Sequence, residues 1–179
     1  MRHLLVTLDF PPSRGGVARY YEHLVSSLPM GTVDVVAPAA NGTPLLQTLN
    51  GVHVRRRTLL VQWLWPHWLP LLLHMAWFVL RGCRSLWVGQ VLPVGTAALL
   101  LHKLFGIQYL VLTHGLDVIG PQPGSRRARL RDSVLRSAWL VIANSEYTKH
   151  YLCSIGVPEE KILLLQPGCS FHGTEAYML

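Results

Sequence analysis

Three short stretches combine residue types that bind polar ligands. The first, DFPPSRGG at residues 9–16, places an acid, an arginine and a glycine pair between an apolar run and a helical pattern. Glycine lets a ligand approach the backbone closely. A helix start offers unpaired N–H groups and the positive end of a dipole, so Gly15 and Gly16 suit a phosphate or a sugar ring. Asp9 can accept a sugar hydroxyl, and Arg14 can meet an anion. The second, LTHGLDVIG, ends another apolar run with His114 and places Asp117 three residues on. An imidazole there can donate to a hydroxyl or a phosphate, or relay a proton, and Asp117 can orient a polyol. The third, IANSEYTKHY, puts Asn144, Ser145 and Glu146 at a helix start. Each has a plainer reading: a tight turn, a satisfied structural histidine, and ordinary helix capping.

Other chemistries lack their patterns. Neither GxGxxG nor GxxxxGK[ST] occurs, which excludes the common dinucleotide and P-loop fingerprints. There is no G-x-S-x-G elbow. His67 and His74 can share a helix face, but no third metal ligand accompanies them. The arginine-rich run RRARLRDSVLRS belongs to no recognised nucleic-acid module.

The surrounding chain must position these stretches. Seven apolar segments read as strands: RHLLVTL, TVDVVAP, VHVRRR, SLWVGQ, IQYLVLTHG, WLVIANS and KILLLQPG. Helical patterns lie between most of them. Residues 16–28 carry a stripe of Val17, Tyr20 or Tyr21, Leu24, Val25 and Leu28, stopped by Pro29 and Gly31. LLQTL reads as loop or a turn of helix. A helix opens at Pro66, resumes after Pro70 and runs to about Arg81. TAALLLHKLF forms another helix, ended by Gly106. Ser125 caps a helix whose Leu130, Val134 and Leu135 face inward, with Arg126, Arg127, Arg129, Arg131 and Arg136 over the rest. Ser145 caps the last. Continuous apolar strands alternating with helices predict an α/β fold, a Rossmann-like parallel sheet covered on both faces. Right-handed crossovers then bring the loops after Leu8, Thr113 and Ala143 to one rim, where such sheets bind ligands.

The 179 residues fit one domain. Half are hydrophobic and 14% are charged, which argues against disorder. A formal charge of +7 attracts phosphates, anionic lipids or nucleic acid without choosing among them. Cys83, Cys153 and Cys169 are odd in number and widely spaced, as reduced cytosolic thiols are. No secretory leader is visible. Residues 59–80, LLVQWLWPHWLPLLLHMAWFVL, carry no Lys, Arg, Asp or Glu. Arginines flank them, and Trp63, Trp65, Trp68 and Trp77 lie within them. Three readings stay open here: a core helix with an exposed face, a helix or loop on a bilayer surface, and a membrane span. Tryptophan, apolar in body with a polar N–H, favours the interface over a plain core.

Together, DFPPSRGGVARYYEHLVSSL, VGTAALLLHKLFGIQYLVLTHGLDV and LVIANSEYTKHYLCSIGVPEEKILLLQPGCS resemble the amino-terminal half of GT-B glycosyltransferases of the retaining family 4 type. The resemblance spans essentially the whole chain. It implies an amino-terminal domain that binds the acceptor, facing a second Rossmann-like domain that binds the nucleotide-sugar and is absent from residues 1–179. It implies no cofactor and no catalytic metal, a nucleotide-sugar co-substrate, and retained anomeric configuration. By resemblance His114 sits beside the transferred sugar. Gly15 and Gly16 approach the donor diphosphate or the acceptor's reacting end. Asp9, Arg14, Gln90, Asp117, Asn144 and Glu146 shape the acceptor side. Gln90 replaces a more usual histidine at the fourth strand's end, and Ser170 stands where PG-x-D members carry the aspartate. Many members act on lipid-linked acceptors, so the expected place is the cytoplasm or the inner face of a membrane, with a dimer as a further expectation. The half alone is expected to be inactive. The rival expectation is a non-enzymatic binding or regulatory module built on the same half-fold.

Overall fold

A computed structural model describes residues 3–49 and 51–168. Eight strands form one sheet in the order β3-β4-β2-β1-β5-β6-β7-β8. They are β1 (His3–Val6), β2 (Val33–Pro38), β3 (Leu46–Leu49), β4 (Val52–Arg57), β5 (Ser85–Val88), β6 (Gln108–Thr113), β7 (Leu140–Ala143) and β8 (Ile162–Leu164). All neighbours are parallel except β3, which runs antiparallel to β4 at the edge. The helices are α1 (Gly16–Ser26), α2 (Leu69–Leu80), α3 (Val94–Phe105), α4 (Leu116–Ile119), α5 (Arg126–Ser137) and α6 (Glu146–Ser154), with a 3-10 turn at Glu159–Lys161.

Alternation along the strands divides the core. Leu4 and Val6 of β1 join Tyr109 and Val111 of β6 on the face covered by α2, α3, α5 and α6. Leu5, Leu110 and Leu112 point to the opposite face, against Tyr21 and Val25 of α1. Both faces of the central strands are therefore dry, which explains their unbroken apolar sequence. Burying a side chain such as Leu71 or Met75, neither with measurable exposure, contributes about 1.5–3 kcal/mol. In α3, a Cβ on Gly95 would stand 2.6 Å from Val134 Cγ1, so the glycine sets how closely α3 approaches α5.

All seven expected strands are present, as β1, β2, β4, β5, β6, β7 and β8. Four local expectations need correction. LLQTL forms β3 rather than a loop or helical turn, because pairing with β4 satisfies its backbone at an otherwise open edge. The Pro66 region is turn, and α2 starts at Leu69 with Pro70 in its first turn, where the missing N–H has no partner to lose. Leu130 is 38% exposed. Arg131, read as a surface arginine, is buried in its place: it donates 2.6 Å to the Val118 carbonyl and pairs with Asp132 at 2.8 Å. The short α4 was not legible in the sequence. No helix among the described residues is long and apolar enough to cross a membrane, so residues 59–80 do not form a helical span. Cys169 and Ser170 lie outside the described residues.

Candidate active site

The loops after β1, β5, β6 and β7 all leave the same edge of the parallel sheet. The first two are tied by Gln90. Its Oε1 accepts from Leu8 N at 2.9 Å, and its Nε2 donates to Thr7 Oγ1 at 3.1 Å and to Asp9 Oδ2 at 3.3 Å. Thr7 Oγ1 in turn accepts from Asp9 N and donates to Asp9 O. Beside them Gly89 leaves no room for a side chain, since a Cβ there would lie 2.6 Å from Thr7 Cβ. From below, Arg56 holds the DFPP segment. It is 1% exposed, donates to the carbonyls of Pro11 and Pro38, and lies 5.6 Å from the Phe10 ring centroid.

The third loop joins through Tyr21, a fully buried residue of α1 whose hydroxyl donates to the Gly89 carbonyl and also meets His114 Nε2. The phenol has one proton, and a carbonyl can only accept. Nε2 must therefore be the donor to the Tyr21 oxygen, which leaves His114 Nδ1 unprotonated. Burial, above all, pushes the His114 pKa from 6.5 down to about 4, with Asp9 pulling it the other way. Burial likewise holds the Tyr21 phenol well above its ordinary value. At neutral pH this is a neutral phenol and a neutral imidazole with a fixed tautomer. Tyr20 packs edge-on against the same ring at 5.5 Å between centroids.

Gly115, at φ 78°, turns the chain from β6 into α4, a conformation glycine adopts without strain. Asp117 Oδ1 then accepts from His114 N at 3.0 Å, while its Oδ2 is buried with no hydrogen-bond partner among the described residues. Burial is the main cause that raises the Asp117 pKa. In the β7 loop, Asn144 Oδ1 accepts from Thr148 Oγ1 at 3.0 Å, and Ser145 caps α6 by accepting from Thr148 N. Thr148 Oγ1 would lie 3.7 Å from a Cβ on Gly115, so the β6 and β7 loops abut.

Gly15 and Gly16 are exposed, and a Cβ on either would meet no atom of the described residues within 4 Å. Gly15 has φ −171°, extended backbone open to any residue. Among the described residues, neither packing nor conformation requires these two glycines. Arg14 and Glu146 are exposed at the same rim. The structure thus joins Asp9, Gln90, His114 and Asp117 in one network, holds Asn144 in the adjoining loop, and leaves Gly15, Gly16, Arg14 and Glu146 open to solvent. Sequence reasoning missed the parts played by Thr7, Tyr21, Arg56 and Gly89. Tyr21 was legible only as an apolar stripe position, and Arg56 only as one member of an RRR run. Among the described residues no three His, Cys, Asp or Glu side chains come together as a metal site needs.

The sequence profile of glycosyltransferase family 4 matches residues 14–171. No curated protein matches the chain significantly. Among solved structures, Anabaena Alr3699/HepE in complex with UDP and glucose superposes with a TM-score of 0.71 at 16% identity, over 94% of this chain and 45% of that one. Sucrose-phosphate synthase from Thermosynechococcus elongatus gives 0.68 at 18% identity, over 93% and 48%. UDP-N-acetylglucosamine 2-epimerase from Rickettsia bellii gives 0.62 at 9% identity, over 92% and 44%. At these identities the likeness is one of fold. The chain spans less than half the length of each of these proteins.

Proposed function

The chain belongs to glycosyltransferase family 4, and from that premise we propose that it forms the acceptor-binding half of an enzyme moving a sugar, with retention of configuration, from a nucleotide-sugar to an acceptor. The observation that carries this reading is the rim itself: a neutral, tautomer-locked His114 bonded to α1, the helix whose start carries two glycines with faces that no described residue fills. The first turn of α1 presents backbone N–H groups at Gly16 and beyond, and these suit the charge that develops on a departing diphosphate. HepE is seen with UDP and glucose, and a UDP-sugar is the donor we assign here. His114 Nδ1 can only accept. Its partner is a sugar hydroxyl, not a phosphate, and its role is to place the transferred sugar. Asp9 accepts from an acceptor hydroxyl, with Gln90 holding its carboxylate. Arg14 attracts anionic groups to the rim. Glu146 and Asn144 border the acceptor side, and Asp117 fixes the His114 backbone from beneath. The acceptor is a lipid-linked sugar at the inner face of a membrane. The α1 start and His114 give the donor only part of its contacts; a second, nucleotide-binding domain supplies the rest in this reading, and residues 1–179 alone are inactive.

The test is transfer by the full-length protein from a panel of UDP-sugars to membrane-extracted glycolipids, with product anomers read by NMR. Retained configuration, and a His114→Ala variant that folds normally but loses ten- to a hundredfold in kcat/KM, is the expected result; one lost hydrogen bond to the reacting sugar accounts for about tenfold. Nucleotide-sugar binding without turnover on any acceptor would instead favour the binding module.

A further inference from the structure

A second site lies away from this rim, between α2 and the outer strands. Helix α2 has two apolar faces. Leu71 and Met75 enter the core, while Leu73, Trp77 and Leu80, spaced at helical intervals, are 60%, 42% and 72% exposed. The preceding loop adds Trp63 and Trp65, 87% and 85% exposed. Beside this apolar face runs a cleft of about 310 Å³ lined by Val36, Arg55, Arg57, Leu73, Trp77 and Phe78, with His74 at its wall. No carboxylate among the described residues lines it. Arg55 lies 5.4 Å from the Phe78 ring centroid, and its Nε is buried without a hydrogen-bond partner. Arg81 stacks 4.0 Å from the Trp77 centroid. Burial and the nearby Arg57 lower the His74 pKa, so His74 adds no charge of its own at neutral pH. Asp34 enters only the adjoining lower pocket, alongside Arg55 and Arg81.

We propose that this face docks on an anionic lipid bilayer, with Trp63, Trp65, Leu73, Trp77 and Leu80 entering the headgroup boundary and Arg55 and Arg57 receiving a lipid phosphate in the cleft. Charge complementarity selects this occupant. Among the described residues neither Arg55 nor Arg57 forms an ion pair, and Arg57 donates to the Arg56 carbonyl; such guanidinium groups suit phosphate oxygens, and exposed indoles beside them match the amphipathic depth of an interface. A buried core would match the tryptophans but give the arginines no counter-charge. A free phosphate would match the arginines but leave the apolar stripe in water. The inference does not depend on the catalytic reading, since none of these residues belongs to the His114 network.

Vesicle flotation of the full-length protein tests it, using vesicles of pure phosphatidylcholine and of phosphatidylcholine with 30% phosphatidylglycerol (about a third anionic lipid, enough for a negative surface). Binding is expected only to the anionic vesicles and should fall as salt shortens the screening length. Arg55→Gln with Arg57→Gln should weaken partition about 20- to 30-fold, from two basic contacts near the surface. Trp63→Ser with Trp65→Ser should weaken it as well. These indoles lie outside the core, so an unchanged melting temperature shows that the fold is intact. Equal binding to both vesicle types, unaltered binding by the arginine pair, or no binding at all because a protein partner or the rest of the chain covers the face, would each overturn the proposal. Titration with inorganic phosphate separates the sources: phosphate that displaces nothing from vesicles supports a bilayer, and phosphate that competes fully at millimolar levels refutes it.

Discussion

Replacing His114 by glutamine should make the protein less sensitive to acid. In the native state the imidazole resists protonation until about pH 4, mainly because it is buried, whereas the unfolded chain takes up that proton near 6.5. A depressed native pKa means that the unfolded state binds more protons as pH falls, so stability is lost below 6.5 and the loss is complete below about 4. At 1.36 kcal/mol per tenfold difference in proton affinity, the full loss is about 3 kcal/mol, of which about 2 kcal/mol is already spent by pH 5. Glutamine can offer an amide N–H to the Tyr21 oxygen and does not titrate. Urea unfolding of both proteins from pH 7.5 to 4.5 gives the stability difference at each pH, and other titrating groups cancel in that difference. The gap should move in favour of the variant by about 2 kcal/mol on going from pH 7 to pH 5. A gap that stays flat within 0.5 kcal/mol (about the usual limit of additivity) would refute the buried neutral imidazole. Long-range ¹⁵N–¹H correlation adds a direct readout, in which Nδ1 should carry the shift of an unprotonated nitrogen at pH 7.

Tyr21→Phe removes the hydroxyl shared by Gly89 O and His114 Nε2. It should cost about 1–3 kcal/mol, because two buried groups lose a partner, and should scramble the His114 tautomer in the same NMR experiment. Gly89→Ala forces a methyl into Thr7 at 2.6 Å and its backbone Cα at 3.1 Å; about 1–3 kcal/mol of destabilisation by urea titration is expected. Gly15→Ala adds a Cβ that meets no described atom within 4 Å. Its melting temperature should stay within a degree or so of the parent (surface changes cost about 0.5 kcal/mol at most), while nucleotide-sugar affinity in the full-length protein drops. The Cys83 thiol, pushed up to about 11 mainly by burial, should resist iodoacetamide at pH 7.5 until the protein unfolds, as read by peptide mass mapping.

The fold was legible where local pattern and global role coincide. The central strands are apolar on both faces because both faces are covered, and the helix between Gly16 and Ser26 carries its stripe where α1 meets the sheet. Ser125 and Ser145 announced their caps. The sequence misled where a distant partner decided the outcome. LQTL has no strand alternation strong enough to outweigh its turn-like flanks, and only the edge of β4 makes it β3. Arg131 sits in an arginine-rich helix and reads as solvated, yet a carbonyl across the core and a neighbouring carboxylate make burial tolerable. The site followed the same rule. Loop residues rich in Gly, His and Asp could be picked out by type. The groups that orient them, Thr7, Tyr21, Arg56 and Gly89, look ordinary in the sequence because their work depends on contacts across 45 to 93 residues of chain.

This dependence also limits how the rim can change. A sucrose-phosphate synthase and a UDP-N-acetylglucosamine 2-epimerase share the half-fold, so the sheet does not choose the chemistry and the loops must. Yet three of the loops here do not vary independently. Tyr21 bonds the β5 loop and the β6 loop with one oxygen, and Gln90 of the β5 loop uses both amide groups on the β1 loop. Groups joined through shared atoms act as a unit, and their substitutions do not add. In a double-mutant cycle, Gln90→Ala and Tyr21→Phe should therefore cost less together than the sum of their single effects, with a coupling of about 0.5–2 kcal/mol. The two side chains make no direct hydrogen bond to each other, so coupling of that size must pass through the Gly89–Gln90 backbone. Strict additivity would mean that the loops are positioned one by one.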